Sequence, residues 1–492
     1  MINSFQKIEV LTLIVLLTIL LTGCSVAPAA IDANPTQSQV DVDPQGTPIP
    51  TRGPFEPGQI FEYKAQNGDT LEAVAAHFNT TVEQIRAENP DLPAAVTTLP
   101  AGYPMRIPAY YVPLTGPAFK ILPDSEVVNG PTAVGFDIQE ELESRPGYLS
   151  EMEAFAYKKQ RSSWGVVDVI SQNYSINPRL LLALLEYQTG ALSDPAPGDD
   201  EIRYPLGVED PRYRGLFWQL VWASERINDG FYGWRTGTMD ELNLADGQVL
   251  RPDPWQNAGT VAVQSFFAAL FGKQDFENAV SPEGFYRTYA DLWGEPFELE
   301  EVLIPGSLQQ PEMILPFMPN RVWDFSGGPH PSWGTSLPLG ALDFAPPSEE
   351  GGCVLSDEWF TAPVDGIVTR SEEATVVLDL DGDADPRTGW ALFFFHVGTD
   401  GRIAEGKRVL RGDLLGHPSC EGGRATGTHI HMARLYNGEW ISAGGPIPFV
   451  LDGWVCSFGD APYEGTLTKG SKIVPASPSS KAENQIIYTL PE

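Results

Sequence analysis

Five of the six histidines in this 492-residue chain fall between His330 and His431, and two of them form the pair His429-Ile430-His431. Such a pair acts together when it lies on an extended strand, because alternate side chains of a strand share a face. The residues that follow, Met432-Ala433-Arg434-Leu435-Tyr436, have the propensity for that strand. Upstream, His330 and Asp343 flank a stretch broken by Pro331, Gly334, Pro338 and Gly340. No single strand holds those residues, so a loop must fold back between them, with Gly327-Gly328 giving the backbone freedom just before it. Leu392-Phe393-Phe394-Phe395-His396 is an aromatic strand that ends in another histidine. The C-terminal part is therefore expected to be a β fold that gathers imidazoles around one carboxylate, a donor set that suits a divalent metal such as zinc.

Short alternating runs with Gly-rich turns continue this pattern from about Leu315, over Phe360–Val368, Thr375–Leu380, Ala391–His396 and Lys407–Gly416, and read as an antiparallel sandwich or barrel. Asp379, Asp381, Asp383 and Asp385 recur at every second position; the spacing is that of a calcium loop, and a solvated hairpin turn is the simpler reading. His417 is a spare candidate ligand.

Gly327-Gly328-Pro329-His330, with Asp343 downstream, and the run Cys420-x-Gly-Gly-x-x-Thr-Gly-x-His429-x-His431 together resemble the zinc endopeptidases of the lysostaphin/β-lytic group, which cut peptides of bacterial cell walls. The resemblance covers about residues 311–465 and is to the β-lytic branch. It implies one Zn²⁺ per chain held by His330, Asp343 and His431, with His396 and His429 as catalytic histidines that do not bind metal. The commoner lysostaphin-like spacing puts Leu339 where a ligand should be, so an intact site rests on His330. The resemblance also implies a bridged cysteine just before the His-x-His strand, hence a Cys353–Cys420 disulfide with Cys456 left over.

The remainder of the chain reads as a delivery apparatus. Residues 1–24 resemble a bacterial lipoprotein signal, with an apolar run too short to span a bilayer that ends at Leu21-Thr22-Gly23-Cys24, so Cys24 is the expected site of lipidation and the chain is expected outside the cytoplasm, anchored to the membrane. Residues 25–59, rich in Pro, Ala, Gln, Asp and Thr, are an expected flexible linker. Residues 60–109 alternate as strand, helix, helix, strand and resemble a LysM module, a small α+β unit that binds the glycan of peptidoglycan; the resemblance implies contact through Gly68, Asp69 and Thr70 and the loop after Asn89. A connector spans 110–147, and the tail 466–492, rich in Ser, Pro and Ala, is expected to be disordered.

Residues 148–297 are expected to be helical. Asn177 is an N-cap, Pro178 suits the first helical position, Gly190 can stop the helix, and the leucines between are apolar nearly all round, as in a buried central helix. That helix distantly resembles the one in lysozyme-like transglycosylases that ends in a catalytic glutamate, but Gln188 holds that position and cannot act as a general acid, while Glu186 lies on a different face. The net charge of −34 excludes nucleic acid as a partner. The sequence thus points to a multidomain surface lipoprotein that holds peptidoglycan by LysM and cuts its peptides with a zinc site. The rival is a non-catalytic lipoprotein of similar make-up that activates cell-wall amidases, and a glycosidase using Glu186 ranks third. Oligomeric state is not legible.

Overall fold

The computed structural model describes residues 51–348 and 350–489. The signal segment and Cys24 lie outside the described residues. The final part of the expected linker is docked: Thr51 bridges to Pro117, and Arg52 pairs with buried Asp253 at 2.8 Å while lying 3.8 Å over the Trp255 ring.

The first module pairs β1 (Gln59–Lys64) antiparallel with β2 (Pro104–Ala109), with α1 (Leu71–His77) and α2 (Val82–Glu88) between them. Both helices start where a threonine side chain takes a free backbone N–H, Thr70 from Ala73 and Thr81 from Gln84. Leu71, Val74, Phe78 and Ile85 are the core against Tyr63, Met105 and Ile107.

The helical region is built on α3 (Ser163–Tyr174), α4 (Pro178–Thr189), α5 (Leu216–Arg235), α6 (Ala258–Leu270) and α7 (Phe285–Trp293). The local signals at α4 act as read: Asn177 Oδ1 accepts from the Arg179 N–H at 3.0 Å, and Gly190 ends the helix in the left-handed region. Leu180 to Leu185 are buried, and α5 and α6 pack alongside in the same core.

The β region is one large antiparallel sheet, a smaller four-stranded one, and a short two-stranded pair of Phe360–Thr361 with Leu414–Gly416. β3 (Val322–His330), β4 (Ala341–Ala345), β5 (Gly366–Glu372), β6 (Thr375–Asp379), β7 (Trp390–Phe395), β8 (Arg408–Val409), β9 (Ile430–Tyr436), β10 (Glu439–Ile441) and β15 (Gln485–Ile487) form the large sheet, in the order β8-β5-β6-β7-β9-β4-β3-β15 with β10 on β9. β11 (Val450–Leu451), β12 (Trp454–Phe458), β13 (Gly465–Lys469) and β14 (Lys472–Pro475) form the small one. Alternation along each strand divides the two faces. Leu342, Phe344, Leu392, Phe394, Ile430 and Met432 pack with Phe449, Leu451 and Leu467 of the smaller-sheet side. Ala341, Phe393, Ala433 and Leu435 instead belong to the core of the helical region. The large sheet is thus covered on both faces, by strands on one and by helices on the other.

The expectation of a disordered tail is corrected. Residues 465–469, 472–475 and 485–487 are strands, and β15 pairs Gln485, Ile486 and Ile487 with Asp324, Trp323 and Val322 of β3. Burial of Ile486 and Tyr488, and the otherwise unpaired edge of β3, offset the weak composition of the segment.

Candidate metal centre

Strand register assembles the donors. Asp343 on β4 is the direct cross-strand partner of His431 on β9, and β9 in turn faces Phe395, the residue before His396. His330 is the last residue of β3, opposite Ala341, and its side chain reaches back to Asp343, whose own cross-strand partner on the bulged β3 is Gly327. The pair Gly327-Gly328 lies inside this bulged strand and serves close approach rather than loop freedom: a Cβ on Gly327 would sit 2.6 Å from Asp343 Oδ2. The loop that folds back is 331–340.

His330, Asp343 and His431 are buried, at 2%, 7% and 8% exposure, and their donor atoms converge. Asp343 Oδ1 is 3.3 Å from His330 Nε2 and 3.4 Å from His431 Nδ1, and those two nitrogens are 3.0 Å apart. The other ring nitrogens settle what faces the centre. His330 Nδ1 donates to Gly328 O at 2.8 Å, and His431 Nε2 donates to Ser332 O at 3.0 Å. A carbonyl only accepts, so both rings turn lone pairs inward toward a carboxylate oxygen that has no hydrogen-bond partner. Three acceptors at this separation repel one another unless a cation lies among them, and two imidazoles with a carboxylate are a zinc-type donor set. The residues fit a metal.

His396 and His429 flank the triad, with rings 4.5 Å apart. Each donates Nδ1 to a backbone carbonyl, His396 to Glu421 O at 2.8 Å and His429 to Gly427 O at 2.7 Å, which leaves both Nε2 lone pairs free. His429 Nε2 lies 3.7 Å from Asp343 Oδ1. Burial, and then the adjacent His429, push the His396 imidazole down to about 4, so it is neutral at physiological pH. Cys353 and Cys420 form a disulfide beside this pair, and Cys456 is a buried free thiol pushed up to about 12 by burial. Tyr463 was not legible as part of the site: its ring stacks on His330 at 4.3 Å, and its left-handed backbone, φ 72°, gives no sequence signal in a non-glycine residue.

Other candidates are placed elsewhere. Leu339 sits in the 331–340 loop, where its carbonyl accepts from the Ala443 N–H. His417 donates to Glu358 O and packs at a tilt against Trp359, outside the triad. The carboxylate of Asp379 accepts from the N–H groups of Gly382 and Ala384, as in a self-bonded hairpin turn. Glu186 accepts from the Leu192 N–H and the Ser193 hydroxyl, anchoring the turn after α4 rather than facing a cleft. Gly68 and Asp69, expected at a glycan surface, are buried. A Cβ on Gly68, at φ 73°, would strike the Arg235 guanidinium, Asp69 accepts from Tyr63 OH at 2.7 Å, and Thr70 is spent on the N-cap of α1. Composition could not show this, because the cover comes from residues far along the chain. Among the described residues, no helix is long and apolar enough to cross a membrane.

The structure thus sets a donor cluster that fits a metal on the face of an antiparallel sheet, joined to a helical region and a small β-α-α-β module. Residues 63–108 match the LysM domain, and residues 120–306 match the family described as LasA, N-terminal domain. The chain is 25% identical over 299 residues to Protease LasA in two strains of Pseudomonas aeruginosa, covering 55% of this chain and 66% of the relative, just under two thirds of its length. Among solved structures it is similar to the M23 metalloprotease pseudoalterin from the deep sea (24% identity, 34% of this chain and 96% of that one, TM-score 0.29). A zinc-containing peptidase from Vibrio cholerae is also similar (20% identity, 29% and 41% of the two chains, TM-score 0.21). The chain therefore joins a segment that matches LysM to a longer region similar to LasA.

Proposed function

We propose that the chain is a zinc metalloendopeptidase that cuts the peptide part of bacterial cell walls, and that His330, Asp343 and His431 hold its one Zn²⁺. The carrying observation is the set of inward lone pairs on His330 and His431 around the unpartnered Asp343 Oδ1. A zinc ion there supplies Lewis acidity toward a scissile carbonyl and lowers the pKa of water to about 7. The chain's own groups do the rest. His396 is neutral and offers Nε2 as a proton acceptor for an attacking water, while His429 stands between it and Asp343. Once protonated, either ring can donate to the oxyanion of the tetrahedral intermediate. Gly328 O and Ser332 O keep the ligand rings in the metal-binding tautomer.

The LysM domain supports a second contact, with peptidoglycan glycan, and Cys24 at the end of the apolar leader is the proposed lipid attachment site. Glycan engagement through Gly68–Thr70 requires that loop to leave Arg235. The test is metal content of the purified protein together with digestion of purified walls, the products read by mass spectrometry. Stoichiometric zinc and new peptide ends are expected, with both lost in His330→Ala, whereas His429→Ala keeps zinc and loses most turnover. Wild-type protein without zinc or cleavage moves the amidase-activator reading into first place.

A further inference from the structure

The helix α5 presents Glu225, Asp229, Tyr232 and Arg235 along one stripe, at a spacing that places them on successive turns. All four meet the β region. Thr335 Oγ1 donates to Glu225 Oε1 at 2.8 Å, and the Leu337 N–H donates to Asp229 Oδ1 at 3.1 Å. The Trp440 N–H donates to Tyr232 OH at 2.9 Å, and Arg235 grips both oxygens of Glu439 at 2.8 and 2.9 Å. The first two bonds land inside the loop 331–340 that joins His330 to Asp343.

From that loop, further bonds run to the donors themselves. Ser332 O takes the His431 Nε2 proton at 3.0 Å, and the Ser332 N–H closes the loop on Pro338 O at 3.1 Å. Trp333 lies edge-on against Phe395 at 4.8 Å, next to His396. A loop free at its tip would carry the Ser332 carbonyl with it, and the His431 ring would lose the partner that selects its tautomer. Metal binding would then have to order the loop, and that ordering cost appears as weaker affinity.

We propose that Glu225 and Asp229 are positioning residues for the metal centre, pinning Thr335 and Leu337 so that Ser332 O stays on His431. The helical region is on this view part of the zinc site's scaffold and not a cover over it. The inference rests on the metal-site reading above.

The experiment measures zinc affinity of the full chain by competition with a chromophoric chelator. Asp229→Ala should weaken zinc on the order of tenfold, as is usual when a ligand's support is removed, and Glu225→Ala/Asp229→Ala should weaken it further. Asp229→Asn should stay within about twofold of wild type, because the amide oxygen still accepts from the Leu337 N–H. Thr335→Val, which leaves α5 untouched, should show a smaller loss and serves if the α5 variants do not fold. Wild-type affinity in Asp229→Ala, the double variant and Thr335→Val overturns the inference and leaves the metal site standing. Equal weakening in Asp229→Asn and Asp229→Ala also overturns it, since the lost charge pair with Arg226 would then be the cause. A wild-type chain that binds no zinc removes the metal-site reading, and the inference with it.

Discussion

Replacing Arg235 by methionine tests how firmly the three regions are joined. The guanidinium makes a bidentate pair with Glu439, lies 3.0 Å from Asp124 Oδ2, and also donates to the Asn67 carbonyl of the LysM module. Glu439 and Asp124 are 3% exposed each. Methionine fills the stem volume but leaves two buried carboxylates without their cation. Breaking a buried pair from one side costs about 3–5 kcal/mol, and the low exposure here puts the substitution in that range. The sign with pH follows from Glu439. Burial already raises its pKa against the opposing pull of Arg235, so its charged form costs stability as pH rises through the folded-state value. Without Arg235 that value rises further, so the deficit of Arg235→Met should be largest at neutral and alkaline pH and shrink on acidification. Urea unfolding followed by tryptophan fluorescence at pH 5 and pH 8 reads both. Arg235→Met/Glu439→Gln should recover part of the loss, the double-mutant signature of a direct pair. A deficit below about 1 kcal/mol at pH 8, the size of an exposed pair, would refute the reasoning, as would a deficit independent of pH.

Two further outcomes follow from the chain's other features. His77 stacks on Trp234 at 3.6 Å and donates to Trp234 O, and burial pushes its pKa from 6.5 down to about 4. Its contribution is therefore present above about pH 6.5 and lost as pH falls toward 4, while nearby Asp69, raised to about 6 by burial, gains in nearly the same window. His77→Gln should accordingly be more acid-resistant, narrowing its gap to wild type by about 1–2 kcal/mol between pH 7 and pH 4.5; melting temperature against pH checks it, and parallel curves would count against it. Cys24→Ala should abolish detergent-phase partitioning, and unchanged partitioning would mean that the leader anchors the chain by itself.

What the sequence made legible was local. Asn177, Pro178 and Gly190 bound α4 because capping is decided by neighbours within a turn. His429 and His431 share a side because a strand alternates, and Gly-Gly-x-His marked His330 because Asp343 tolerates no Cβ at Gly327. What stayed hidden depends on distant partners. Gly68–Thr70 looked like a free loop until Arg235 closed on it, and Glu186 looked like a candidate acid until Leu192 and Ser193 claimed its oxygens. The stripe from Glu225 to Arg235 reads as an ordinary polar helix face, since nothing local tells water from a loop as its partner.

The edge strand β15 has a consequence for the strand that carries His330. β3 carries His330 at its end, and its outer rim is sealed by Gln485–Ile487 and by Asn484, whose side chain donates to Phe325 O across 159 positions. That closure is made by a segment far along the chain, and without it β3 presents an open edge. A chain that has ordered β3, β4 and β9 but not β15 therefore holds the donor residues beside an unsealed strand, and loss of that strip should leave the edge open to pairing with another chain.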